Sequence, residues 1–216
     1  MSGVVLPRGL YAVVDDGVRP DLSLAEQARL LARAGVRVAQ VRCKRSVGRA
    51  GWEAVRDAVQ LLREAGVVAL VNDRVDWALL AGADGVHVGD DDLPAAEARR
   101  LLGPDRLVGV TVRSAAGARQ AAADGASYVG LGPVFATRTK EVPAAVLGLE
   151  RLGNEVAASP LPVVAIGGIG LDGVTGVARA GVHGVAVVSD LWKGEDLAAR
   201  IQALQRGFHL GETGGP

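Results

Sequence analysis

What this chain lacks narrows the field before any motif is read. Among its 216 residues there is one cysteine, Cys43, so no internal disulfide can form, which suits a reducing cytosol. Lys+Arg and Asp+Glu are both 24, leaving no surplus of either sign to draw the chain to nucleic acid or an anionic membrane. No apolar run approaches the ~20 residues that cross a bilayer. The opening MSGVVLPRGLYAVVDD lacks the basic region, long apolar stretch and cleavage site of a secretory signal. Aromatics are only 3%, and the three histidines show neither a His/Cys metal spacing nor a Ser–His–Asp arrangement. His87 lies mid-strand, as packed core histidines do, while His183 and His209 sit on the far rim and in the tail. The expectation is a cytoplasmic protein that acts on small molecules, with no nucleic-acid or membrane partner and self-association left open.

What is present is a repeated grammar. Eight short apolar runs each end abruptly in polar, charged or glycine residues: 9–16, 36–45, 67–74, 85–92, 106–113, 128–140, 162–169 and 184–190. Each has the length and composition of a buried parallel strand, and the polar tail always follows the run. Amphipathic stretches at 24–34, 52–65, 95–102, 115–123, 149–158, 171–180 and 196–206, with a short one at 76–81, read as helices. Several close on Ala-Gly or Asp-Gly, a helix stop that releases the chain into the next strand. A doubly wound sheet would place a GxGxxG fingerprint after the first strand, and none is there. The pattern predicts α/β architecture: a single-domain (β/α)8 barrel over 1–207, with 208–216 as a loose tail. All the polar tails then gather on the carboxyl-end rim, where such barrels keep their active sites.

The tails carry the chemistry. Gln40, Arg42 and Lys44 alternate along one strand face, with Val41 and Cys43 on the other. An amide, a guanidinium fork and an ammonium suit a phosphate or diphosphate. Solvated loop charge is the plainer reading of Lys44. Asn72-Asp73 ends the third strand and Asp90-Asp91-Asp92 follows the fourth. Acids there would repel a phosphorylated ligand unless a cation lay between. Asp73 with one of the three fits a Mg²⁺–diphosphate site, and another of the three would cap the helix near Pro94. Thr111 places a hydroxyl on the fifth strand. Thr137, Arg138, Thr139 and Lys140 follow the sixth as an anion cradle or a solvated loop. Gly167-Gly168 and Ser189 end the last two strands, the usual phosphate corner of this fold.

Together the motifs Gln-x-Arg-x-Lys (40–44), Val-Asn-Asp-Arg (71–74), Gly-Val-His-Val-Gly-x-x-Asp (85–92), Gly-Pro-Val-Phe-x-Thr-x-Thr-Lys (132–140) and Ala-Ile-Gly-Gly-Ile (165–169) resemble the thiamine phosphate synthase family. The likeness runs in register from about residue 9 to 192. It implies a barrel that joins 4-amino-5-hydroxymethyl-2-methylpyrimidine diphosphate to hydroxyethylthiazole phosphate, releasing pyrophosphate. Carried over by position, Gln40, Arg42, Lys44, Asn72, Thr111 and Lys140 would hold the pyrimidine diphosphate, with Val41 and Cys43 lining the same stretch. Asp73 and Asp92 would bind Mg²⁺. Thr137, Arg138, Thr139, Gly168, Val188 and Ser189 would hold the thiazole phosphate. Arg42, Lys44 and Lys140 would stabilise the leaving diphosphate. Three departures stand out: the family usually has Ser at Thr111, often Gln at Asp90, and commonly His at Arg113.

Other readings share the scaffold. A sister group isomerises a thiazole carboxylate phosphate; its members typically lack the second acid of the Asn-Asp pair and carry a histidine in the fifth strand's loop. A phosphosugar isomerase would want a base or metal-binding histidine at the rim. A non-catalytic precursor-binding homologue would keep the barrel and lose part of the polar set.

Overall fold

The computed structural model describes residues 3–137 and 145–214. Eight parallel strands close into a barrel in chain order, β8 pairing back onto β1. They are β1 (Gly9–Asp15), β2 (Val38–Arg42), β3 (Val68–Asn72), β4 (Gly85–Val88), β5 (Leu107–Val112), β6 (Tyr128–Leu131), β7 (Val163–Ala165) and β8 (Gly184–Val187). The helices between them are α1 (Leu24–Arg33), α2 (Gly48–Glu64), α3 (Val75–Leu80), α4 (Ala95–Leu102), α5 (Ala115–Ala123), α6 (Gly148–Ala157), α7 (Leu171–Arg179) and α8 (Leu197–Thr213). Among the described residues, no helix is long and apolar enough to cross a membrane.

Val- and Ala-rich runs become strands because both of their faces are buried. Val14, Ala39, Val41, Val71, Val86 and Val129 point outward into one continuous layer with Leu31, Val55, Leu62, Leu152 and Leu204 of the helices. Tyr11, Val13, Val38, Leu70, Leu107, Tyr128 and Val164 fill the barrel itself. The register sets what reaches the mouth. Val13 pairs with Gln40 and Asp15 with Arg42, while Asn72 pairs with His87 and Thr111 with Gly130.

The helices start and stop where local chemistry dictates. Ser23 and Glu26 form a reciprocal capping box on α1, and Ser114 and Asp196 cap α5 and α8. Such a cap contributes about 1 kcal/mol. Gly35 and Gly66 follow their helices with φ of 82° and 74°, a left-handed step that a Cβ would strain. No side chain caps α4, whose N-cap is Pro94, so the acid cap expected from 90–92 is absent.

Two boundaries depart from expectation. The segment from 208, expected as a tail, continues α8 as far as Thr213. Phe208 is buried in the outer layer, and Gly211 approaches α7 so closely that a Cβ would lie 2.5 Å from Ala178. Helix α2 begins at Gly48 rather than at 52, taking in a glycine-bearing turn with no apolar period to announce it.

Candidate active site

At the ends of β1 and β2, two neighbouring aspartates organise the cations. Asp15 is 1% exposed. Its Oδ1 accepts from the amides of Gly17 (2.7 Å) and Val18 (3.1 Å), while Oδ2 takes Arg42 Nη1 at 2.5 Å. Arg42 is therefore docked on an anchored carboxylate, with its guanidinium at the mouth. Asp16 accepts from the backbone amides of Lys44, Arg45 and Ser46 at 2.9–3.0 Å. Burial pushes its carboxyl up, but the three amides outweigh burial and hold it below its usual value. The loop bearing Lys44 is thus clipped to β1. Neither aspartate belongs to a motif that marks it in the sequence, although 14–17 shows the same run-then-polar ending as the other strands.

Val41 is fully buried in the outer layer, and Cys43 packs against it. Cys43 Sγ lies 3.5 Å from Asp16 Oδ2 and 3.4 Å from Ser46 O; burial, then Asp16, pushes the thiol up to about 11. Neither side chain faces the mouth. Any contact these two residues make with a ligand there runs through backbone.

β3 and β4 supply the acids. Asp73 adopts φ 62°, a left-handed conformation uncommon outside glycine, and its amide donates to His87 O at 2.8 Å. That turn carries its carboxylate to Asp92 and to the Lys44 ammonium, with which it forms an ion pair. Burial, then Asp92, raises the Asp73 carboxyl above its usual range; Lys44 opposes them. Asp92 is held in turn by the Gly89 amide, 2.8 Å from its Oδ2. Two carboxylates facing one ammonium form a site short of positive charge. Mg²⁺ takes one or two carboxylates plus phosphate oxygens and water, so this donor set fits it. Among the described residues no group of three or more His, Cys, Asp or Glu gathers, so further ligands would come from substrate and solvent. Asn72 ends β3 beside this pair, half-buried.

Across the mouth, Thr111 Oγ1 lies 2.9 Å from His87 Nε2. The loop after β6 is pinned to the end of β7 by Val134 N to Ile166 O (2.9 Å) and Phe135 N to Gly167 O (3.0 Å). Gly168, φ 67°, sits so close to this loop that a Cβ would fall 2.5 Å from Ala136 O. The contact sets Thr137, half-buried, beside the end of β7; Arg138, Thr139 and Lys140 lie outside the described residues. Val188 packs on the barrel interior, and Ser189 opens a short 3-10 turn, Ser189–Trp192. Asp190 in that turn is buried. It accepts from Leu171 N at the start of α7 and pairs with Arg200 (2.5 Å) and Lys193 (2.9 Å). This clamp, also missed in the sequence, ties Ser189 to α7 and α8.

The mouth thus combines a carboxylate pair, a braced guanidinium, an ammonium and a glycine-lined corner. Known proteins place that combination. A profile of the family described as Thiamine monophosphate synthase matches residues 10–191. A thiamine-phosphate synthase of Myxococcus xanthus is 56% identical over 97% of this chain and 96% of its own length. One from Anaeromyxobacter dehalogenans is 50% identical over 95% and 90%. The chain belongs to the thiamine monophosphate synthase family.

A solved relative in that family, a thiamine phosphate pyrophosphorylase from Pyrococcus furiosus, superposes with a TM-score of 0.84 at 35% identity. It covers 94% of this chain and 96% of its own. Two positions where this chain differs from the common family pattern turn out to be neighbours. Arg113 Nε lies 3.9 Å from Asp90 Oδ2, both well exposed, so the extra acid near the carboxylate pair comes with its own cation.

Proposed function

We propose that this chain condenses 4-amino-5-hydroxymethyl-2-methylpyrimidine diphosphate with hydroxyethylthiazole phosphate, yielding thiamine phosphate and pyrophosphate. Family membership makes it a transferase acting on phosphorylated small molecules. The observation that carries the reading is the meeting of Asp73, Asp92 and Lys44 beside the braced Arg42. The lone, half-buried Cys43 suits a cytoplasmic setting.

In this reading Asp73 and Asp92 hold Mg²⁺, which when bound neutralises charge on the diphosphate. Arg42 and Lys44, with Lys140, bind the diphosphate oxygens and stabilise the negative charge that grows as the carbon–oxygen bond breaks. Gln40, Asn72 and Thr111 hold the pyrimidine half, with the backbone of Val41 and Cys43 alongside. Thr137, Arg138, Thr139, Gly168, Val188 and Ser189 hold the thiazole phosphate, so that its ring nitrogen faces the pyrimidine methylene. The diphosphate leaves, and the nitrogen captures the resulting pyrimidine methyl cation. No protein nucleophile is required, which agrees with a mouth built from charge and amides.

Asp73 also favours coupling over thiazole isomerisation, the reading in which that second acid is typically missing. Incubation with both phosphorylated precursors and Mg²⁺, followed by chromatography for thiamine phosphate, tests the proposal. Thiazole isomerisation without coupled product would establish the sister activity instead.

A further inference from the structure

Beneath the mouth lies a feature whose middle members the proposed reaction leaves unused. Barrels of this type fill their interior with branched aliphatic side chains, as Val13, Val38, Leu70, Leu107 and Val164 do here. Among them run five polar side chains bonded end to end. Gln40 Nε2 donates to the Tyr11 hydroxyl at 3.0 Å, and the Tyr11 and Tyr128 hydroxyls meet at 3.0 Å. The Tyr128 hydroxyl lies 3.0 Å from His87 Nδ1, and His87 Nε2 lies 2.9 Å from Thr111 Oγ1. Space for them is built in. A Cβ at Gly109 would fall 2.2 Å from the Tyr128 ring, and one at Gly130 would lie 2.9 Å from His87 Cε1. Either glycine, replaced by alanine, would break the chain of bonds.

Proton order along the chain follows from its first link. The Gln40 amide donates to Tyr11, so the single O–H of Tyr11 goes to Tyr128, and that of Tyr128 goes to His87 Nδ1. Burial raises both phenols, so each stays neutral and passes on one O–H. His87 is left with its proton on Nε2, donated to Thr111. Two groups at the ends of the chain then stand near the carboxyl ends of β2 and β5, at the mouth. Gln40, 7% exposed, keeps a carbonyl oxygen without a hydrogen-bond partner among the described residues, and Thr111 keeps its own O–H.

We infer that this buried chain fixes Gln40 as an acceptor and Thr111 as a donor toward the ligand. Tyr11, Tyr128 and His87 are then positioning residues that select a ligand bearing an amino N–H at one end and an acceptor at the other. The inference deepens the synthase reading and rests on it for the ligand. A 4-aminopyrimidine offers the N–H that the Gln40 carbonyl accepts, and a ring nitrogen or diphosphate oxygen accepts from Thr111. A 4-oxo analogue would set one acceptor against another.

Two measurements test this. Ring-nitrogen NMR shifts of ¹⁵N-labelled, unliganded protein, assigned against His87→Gln, report the His87 tautomer. The expected result is a neutral ring with the proton on Nε2 at pH 7; a proton on Nδ1, or a doubly protonated ring, overturns the polarity. Calorimetric binding of the pyrimidine diphosphate and its 4-oxo analogue, to wild type and to Tyr128→Phe, reports selection. Wild type should prefer the amino compound by at least about tenfold, and the variant should narrow that preference below about threefold. A variant as selective as wild type overturns the positioning role, because a packing role alone would weaken both ligands equally. Should Tyr128→Phe fail to fold, the wild-type tautomer still decides the polarity. If neither pyrimidine binds wild type, the synthase reading and the selection claim both fall, while the ligand-free NMR result continues to judge the chain of bonds.

Discussion

Asp73 carries a conflict between stability and chemistry. Its φ of 62° strains a residue with a Cβ by about 1 kcal/mol, and its carboxylate sits against that of Asp92. Both strains vanish in Asp73→Gly. That variant should melt no lower than wild type while turnover falls by at least about a hundredfold. Thermal melts paired with product assays check it, and equal losses in both would assign Asp73 to the scaffold. Asp15 presents the opposite case. Asp15→Asn leaves the Arg42 guanidinium half-buried without its counter-charge, so stability should fall by about 3 kcal/mol, together with activity. Denaturant titration measures the first loss and initial rates the second. Spacing along the chain points to Arg42, Lys44, Asp73 and one acid among 90–92, because each belongs to a strand-end tail, and only the family resemblance narrows that acid to Asp92. Spacing could not announce what braces them, since Asp15 and Arg42 lie on different strands and meet only through register.

Among elements, the strands were the most legible part of the sequence, because a buried parallel strand leaves no room for polar interruption. Helix limits were less so. α8 packs against α7 through Gly207 and Gly211, whose missing side chains erase the apolar period that would have extended the helix past 206. The Asp190 clamp was illegible for a similar reason, joining β8, α7 and α8 across long stretches of chain. Burial pushes the Asp190 carboxyl up, but Lys193 and Arg200 together outweigh it and hold the group below its usual value. A carboxyl depressed in the folded state contributes fully at neutral pH and loses that contribution as pH falls from about 4 through the folded value. Asp190→Asn should therefore cost about 2 kcal/mol at pH 7, with the gap to wild type closing as the pH drops below 4. Stability measured against pH for both proteins reads the difference directly.

Across the whole molecule the two rims divide the work. On the amino-end rim Arg99 donates to Gly125 O, Gly103 O, Arg106 O and Ser127 Oγ, and so ties the loops leading into β5 and β6 together far from the mouth. Arg99→Ala should destabilise by about 2–3 kcal/mol and leave turnover at low temperature near wild type, a contrast that melting curves and assays at 15–20 °C would expose. Beside the braces Asp15 and Asp190, the carboxyl-end rim also holds groups that fold stability does not need, chief among them the Asp73–Asp92 pair. That pair is the proposed cation seat for the diphosphate. Calorimetric titration of the pyrimidine diphosphate, with and without Mg²⁺, into wild type and Asp73→Gly tests it most directly. Mg²⁺ should tighten binding to wild type by at least about tenfold and leave the variant unmoved, whereas equal tightening in both proteins would contradict the assignment.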